Sequence, residues 1–205
     1  MNPLTQQPPK QLADHIPAMR ADARRNREKV LRAARVCLAR DGLDAQMDEI
    51  ARRAKVGVGT LYRHFPTKDD LVVALAGERF DRLAELAHAA LEESDPWEAL
   101  CDFLRASAQI QIEDRALSEV MLDSNDVMRE HAERVDILGL VDQVMARAKE
   151  SGQLREDAEP EDVPMLTCPL GSAARMPKMN PERYIALAID GFRAPGGTPL
   201  PKRSA

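Results

Sequence analysis

Residues 55–68 read KVGVGTLYRHFPTK. Two glycines precede a threonine, a tyrosine, an arginine and a histidine, and Phe65-Pro66 closes the run. Glycine is a poor helix-interior residue, and only 3% of the chain is aromatic. Placing Tyr62, His64 and Phe65 within four positions therefore asks for a specific job. The residue before a proline avoids the helical region, so a short helix over 58–64 stops at Phe65. Thr67 suits the N-cap of the next helix, with Asp69 and Asp70 in its first turn. Upstream, Met47 opens a second short helix over 47–54, with Ile50, Ala51 and Ala54 on its inner face. Small Ala51 lets the two helices cross closely, and Val56 plugs the turn between them. Ile50 and Leu61 supply the remaining apolar contacts. This pattern makes a helix-turn-helix whose second helix stands proud of the surface. Gly57 and Gly59, at the start of that helix, leave room for a backbone to approach a groove wall.

Outward from this motif, every segment reads as helix. Val30, Leu31, Ala34, Cys37 and Leu38 share one face of a helix over 24–40, and Gly42 suits a left-handed cap after it. A long helix follows over 68–91. Asp95 caps the next, over 96–113, with Pro96 at the tolerated first position. Further helices span 115–122, 126–150, 161–175 and 181–192, with Pro169 predicting a kink or an early end in the 161–175 segment. No sustained alternating pattern argues for a sheet. The fold class is all-α with about nine helices. A Pro- and Gln-rich arm over 1–20 and a tail over 194–205 read as disordered. Between them lie a helix-turn-helix domain over 21–75 and a second helical domain over 76–193.

Charge divides along the same line. Residues 1–75 carry 14 Lys+Arg against 9 Asp+Glu, and residues 76–205 carry 15 against 25, so a basic third sits on an acidic body. That asymmetry suits a polyanion partner at one end. No apolar run approaches the about 18–20 residues needed to cross a bilayer, and the N-terminus lacks the apolar core of a signal peptide. No membrane partner and a cytoplasmic location are expected. Cys37, Cys101 and Cys168 have neither zinc-site nor disulfide-framework spacing and read as buried thiols. His15, His64, His88 and His131 show no metal-ligand spacing. GVGTLY departs from the dinucleotide fingerprint G-x-G-x-x-G at Tyr62, with no strand before it. Gly171-Ser172 is not a nucleophile elbow. No catalytic constellation, metal site or cofactor site emerges.

The stretch DEIARRAKVGVGTLYRHFPTKDDLV, with the helix before it, resembles the helix-turn-helix of TetR-type transcriptional regulators over residues 24–75. The run GTLYRHFPTK carries most of that likeness. LGSAARMP and PERYIALAIDGFRAP resemble the C-terminal half of a subset of the family. The resemblance implies that Gly57, Val58 and Thr60 meet base edges in the major groove. It implies that Tyr62, His64 and Lys68 hold phosphates. Met47 joins the DNA-facing set. Two departures stand out: Lys55 occupies a turn position where glycine is common, and Gly57-Val58 replaces a polar-basic pair. Base reading then falls to the Thr60 hydroxyl, the Val58 methyls and Arg63. Arg24 and Arg25, with Arg27, are placed to reach a backbone or minor groove.

The resemblance also implies dimerisation through the last two helices. The interface residues would be Leu166, Leu170, Ala174, Tyr184, Leu187, Ala188 and Phe192. Leu100, Leu104, Ser107 and Gln111 share one face over 96–113, so polar Ser107 and Gln111 fall on an inward stripe. With Phe103, Met121, Met128 and Met145 they are candidates to line an adaptable, largely apolar ligand pocket. The expected function is a ligand-responsive DNA-binding regulator, a repressor acting as a homodimer on double-stranded DNA with an unidentified small-molecule effector. Two other readings stay open: an enzyme with a helical catalytic body targeted by the helix-turn-helix, and a structural DNA-binding protein that senses nothing.

Overall fold

In a computed structural model of the chain, Val30, Leu31, Ala34, Cys37 and Leu38 are all at most 2% exposed. They form the inner stripe of α1 (Lys10–Asp41). The structure describes residues 10–114, 125–170, 178, 180–195 and 197–201, without the side chains of 10–20, 43 and 125–128. Helix α1 thus begins well inside the segment expected as a disordered arm. Residues 10–16 are mostly good helix formers, and a helix already under way gains one bond per added residue. Pro17 does not end it.

A 3-10 turn (Gly42–Asp44), with Gly42 at φ +59°, leads from α1 to α2 (Met47–Ala54) and α3 (Val58–His64). Helix α4 (Lys68–Glu92) starts on a full capping box. The Thr67 hydroxyl accepts from the Asp70 N–H at 3.1 Å, and the Asp70 carboxylate accepts from the Thr67 N–H at 2.9 Å. Both orphan donors are satisfied reciprocally, as a box of this kind requires.

Helix α4 then belongs to two cores. Its Leu71, Val72, Leu75 and Ala76 pack with α1, α2 and α3, whereas Leu83, Ala87 and Ala90 pack with the helices that follow. Phe80 touches both clusters. One rigid helix therefore mechanically connects the helix-turn-helix to the body.

In the body, α5 (Pro96–Glu113) opens as expected, with Asp95 accepting from the Trp97 and Glu98 N–H groups at 2.9 and 3.1 Å. The segment over 126–150 is two helices rather than one: α6 (Asn125–Arg134) and α7 (Ile137–Glu150). The chain turns at Asp136, which sits at φ +47°. Asp tolerates that conformation better than most residues, and a methyl group at Gly139 would overlap the Asp136 carboxylate. Apolar periodicity does not register a reversal confined to one residue. Arg147 of α7 donates to the carbonyls of Ala90, Leu91 and Glu93 at 2.6–2.8 Å. It thereby caps the C-terminus of α4 from another element.

Within the helix expected over 161–175, α8 (Asp162–Thr167) ends ahead of Pro169, and residues 171–175 lie outside the described residues. Proline cannot donate the next bond and its ring crowds the preceding turn. The expected 115–122 helix lies outside the described residues. Helix α9 (Pro181–Phe192) opens on Asn180, which accepts from the Arg183 N–H at 3.1 Å. After α9, several of the described residues contact the body. Arg193 pairs with Leu154 in an antiparallel bridge. Arg155 donates to the carbonyls of Gly191 and Thr198, and the Leu200 N–H donates to Asp157 at 2.8 Å. Arg155 and that backbone donor hold the Asp157 carboxyl well below the usual carboxylate range. Thr198 and Leu200, within the segment expected as a tail, thus contact the body.

Candidate DNA interface and effector cavity

The turn between α2 and α3 is a Schellman motif. The Val56 N–H donates to the Ala51 carbonyl and the Lys55 N–H to the Arg52 carbonyl, at 3.1 and 3.2 Å. Lys55 takes the left-handed position at φ +56°, where glycine has no side-chain penalty. Gly57 then caps α3 with an ordinary extended backbone at φ −65°. A methyl at Gly57 would meet only Thr60 Oγ1 at 3.8 Å, and one at Gly59 would meet nothing within 4 Å. Neither backbone conformation nor internal packing requires glycine at these two positions. The space they leave is on the outside.

Along α3 the side chains divide. Leu61 is 0% and Phe65 3% exposed, whereas Val58 and Tyr62 are each 43% exposed. Arg63 is exposed, and Thr60, His64 and Lys68 are half-buried. His64 Nε2 is buried without a hydrogen-bond partner. Burial, then Arg63 and Arg27, push the His64 imidazole below its ordinary 6.5, so it favours the neutral form. Arg27 lies 5.6 Å from the Phe65 ring centroid and 3.6 Å from Glu78. Arg24 and Arg25 are exposed on α1 and pair with acids of their own helix, Glu28 at 3.7 Å and Asp22 at 2.5 Å. Met47 is placed differently from its expected DNA-facing position. It is 8% exposed and packs in the core because it falls on the same inner stripe as Ile50, Ala51 and Ala54.

A cavity of about 600 Å³ opens in the body. Phe103, Ser107 and Gln111 of α5 line one wall, Arg79, Phe80 and Leu83 of α4 another, and Ile137 and Val141 of α7 a third. Val163, Thr167 and Cys168 close it from the α8 side. Arg79 is 5% exposed and donates to Gln111 Oε1. Gln111 Nε2 in turn faces Cys168 Sγ at 3.5 Å. Burial pulls the Arg79 guanidinium below the ordinary arginine value, while Cys168 and Asp114 act oppositely. An arginine still stays cationic around neutral pH. Met145 is 1% exposed, in the core, and not in the cavity wall. It falls on a face of α7 already filled by core neighbours. Met121 and the Met128 side chain lie outside the described residues. Cys37 and Cys101 are buried, and Cys168 is exposed as a residue. Burial raises all three thiols, Cys101 to about 11.

Directly beyond Gln111, the end of α5 meets the DNA-binding domain. Asp114, 4% exposed, faces Arg35 of α1 at 3.2 Å and Arg82 of α4 at 3.6 Å. Arg35 also pairs with Glu78 at 2.9 Å, and Arg82 with Glu113 at 3.1 Å.

The α8 and α9 surface is split. Leu170 and Phe192, expected at a dimer interface, are 1% and 5% exposed in the chain's own core. Leu187 is 61% exposed, and Tyr184, Ala188 and Leu166 are half-buried. Met165 on α8 is 74% exposed. Ala174 lies outside the described residues.

Arg79 and the Arg35–Asp114 contact were not singled out from sequence. Arg79 had a readable signal: it sits four residues from both Leu75 and Leu83, so it interrupts an apolar stripe. Asp114 had none, because its partners come from distant segments. No described helix is long and apolar enough to cross a membrane. Among the described residues, no three metal-ligating side chains gather.

Residues 30–75 match the family model described as bacterial regulatory proteins of the tetR family. Residues 95–194 match the SbtR-like transcriptional regulator C-terminal domain. The HTH-type transcriptional repressor KstR of Mycolicibacterium smegmatis is 34% identical over 138 residues, covering 65% of this chain and 68% of that protein. KstR of Mycobacterium tuberculosis is 30% identical over 141 residues, covering 65% of this chain and 63% of that protein, which is less than two thirds of its length. A solved TetR regulator from Mycobacterium vanbaalenii is 37% identical with a TM-score of 0.66, covering 86% of this chain and 99% of that one. One from Streptomyces coelicolor is 28% identical with a TM-score of 0.63, covering 82% and 98%. The chain belongs to the TetR family of DNA-binding transcriptional regulators.

Proposed function

We propose that this regulator is a repressor that binds a near-palindromic operator as a homodimer and releases it when a small molecule enters the α4–α5–α7 cavity. The observation that carries the reading is on α3. Its inner residues are buried, its outer ones are open, and the two glycines at its start are needed by nothing inside the protein. In this reading Val58, Thr60 and Arg63 face base edges, while Tyr62, His64 and Lys68 engage phosphates. Lys68 opens α4, where free N–H groups and the helix dipole add to its charge. Gly57 and Gly59 let the helix backbone come close to the groove. The mycobacterial relatives are named repressors, which supports the same sign of regulation here.

Dimerisation rests on the outer face of α9, where Leu187, Ala188 and Tyr184 form an apolar strip open to a second copy. Two recognition helices must then stand about 34–36 Å apart to read successive major grooves. An effector acts by favouring a dimer with the wrong separation, and about 1.4 kcal/mol of preference shifts that equilibrium tenfold. Helix α4 is the transmitting element, since it spans both cores. Selection of bound DNA fragments from a random pool, followed by sizing of the complex, tests the reading. Recovery of a near-palindrome bound by two copies supports it, and recovery of no sequence preference contradicts it.

A further inference from the structure

We propose that the effector of this cavity carries a carboxylate on an apolar skeleton, and that the carboxylate accepts hydrogen bonds from Arg79 and Ser107. The inference rests on the effector reading above and specifies its chemistry.

Two observations carry it. The first is the Ser107 hydroxyl. It lines the cavity, Ser107 is 2% exposed, and its Oγ has no hydrogen-bond partner within the protein. A buried polar group left unsatisfied is destabilising, so a hydroxyl kept in that state marks a place where something else binds. The second is the charge of the lining. Arg79 and Arg129 are its charged residues, and no Asp or Glu appears among the described lining residues. Arg129 is itself paired with Glu133 at 3.8 Å, and Asp114 acts on Arg79, so what the described lining offers an anion is the Arg79 donors with no carboxylate in the wall itself.

The polar groups converge rather than scatter. Ser107 and Gln111 are one helical turn apart on α5, so they present to the same wall. Gln111 accepts from Arg79 and thereby ties the guanidinium to the face of α5 that also carries Ser107. A guanidinium offers five donors in a planar fork, which matches the two oxygens of a carboxylate. An ammonium head would be repelled there, and a neutral alcohol would forgo the charge-assisted bond. Phe80, Leu83 and Phe103 then provide the apolar wall for the rest of the molecule.

The test uses the full chain and matched octyl, decyl and dodecyl carboxylates, alcohols and amines, each below its micelle concentration, titrated by calorimetry near neutral pH. The carboxylate of the best-fitting chain length should bind at least tenfold more tightly than its alcohol, with the amine weakest. Ser107→Ala should lower carboxylate affinity three- to tenfold and leave the alcohol unchanged. Arg79→Met should abolish the preference for carboxylate, and Ser107→Ala still decides the matter if that variant fails to fold. Equal binding of carboxylate and alcohol, or a Ser107→Ala variant that affects both alike, overturns the proposal. If alcohols or amines bind as well and release the operator, the effector reading survives without it. If no member of any series binds, this proposal falls, whereas the effector reading falls only if no small molecule releases the operator.

Discussion

Arg35 of α1 and Asp114 at the end of α5 stand 3.2 Å apart, and Asp114 is 4% exposed. A helix of the DNA-binding domain is thus ion-paired to the helix that forms one wall of the cavity, one turn from Gln111. Asp114→Asn removes the buried acid shared by Arg35 and Arg82. The arginines left behind are partly exposed and keep Glu78 and Glu113, so stability to denaturant should fall by about 1–2 kcal/mol. The same variant should shrink the difference in operator affinity with and without effector. Unchanged stability and an unchanged effector response would show that the contact neither supports nor transmits anything.

Lys55 sits left-handed at the α2–α3 turn. A non-glycine residue there carries a penalty of about 1–2 kcal/mol, partly offset in Lys55→Gly by the greater freedom of the unfolded chain. The substitution should raise the melting temperature by a few degrees. A lower melting temperature would mean that the lysine side chain stabilises the turn by more than its backbone costs.

His64 should make operator binding pH-dependent. Burial, reinforced by Arg63 and Arg27, holds its folded pKa below 6.5. The unfolded chain therefore takes up the proton first. The stability contributed is complete above 6.5 and is lost as pH falls through the lower folded value. A phosphate beside His64 favours the charged form, so the complex has the higher pKa and binding takes up a proton. Operator affinity, corrected for unfolding, should rise as pH drops from 8 toward 6 at fixed salt. That rise should disappear in His64→Gln, measured by fluorescence anisotropy; persistence of the slope would place the titrating group elsewhere.

Leu187 is 61% exposed on α9. Leu187→Glu should leave the fold of the single chain intact, because the residue packs against little within it. If α9 forms the dimer contact, sedimentation should shift from two copies toward one and operator affinity should drop by more than tenfold. A dimer that tolerates the glutamate would place the interface on another face.

The helix-turn-helix was legible in sequence because its signals are local. Phe65-Pro66 ends α3, Thr67 caps α4, and the Ile50–Ala51–Leu61 pattern sets the inner face within a few residues. Capping at Asp95 is local in the same way. The body was less legible. The break at Asp136 depends on one residue's backbone and on the room at Gly139. Ser107 and Gln111 were readable as polar residues on an inward stripe, but their neighbour Arg79 comes from another helix. Phe192 was assigned to an interface because apolar periodicity marks a buried side without naming what buries it, and Met47 was assigned to the DNA-facing set by resemblance. In both cases the chain's own core buries the residue.

The central claim is that α3 reads DNA sequence. It is tested most directly by comparing affinity for a selected operator fragment and for random DNA of equal length across a salt series. The account predicts that both affinities fall steeply with salt, while a preference of about 10³-fold or more for the operator persists. Thr60→Val should alter which bases are preferred, and Tyr62→Phe and Lys68→Ala should weaken all sequences alike. Equal affinity for operator and random DNA at every salt concentration would contradict it.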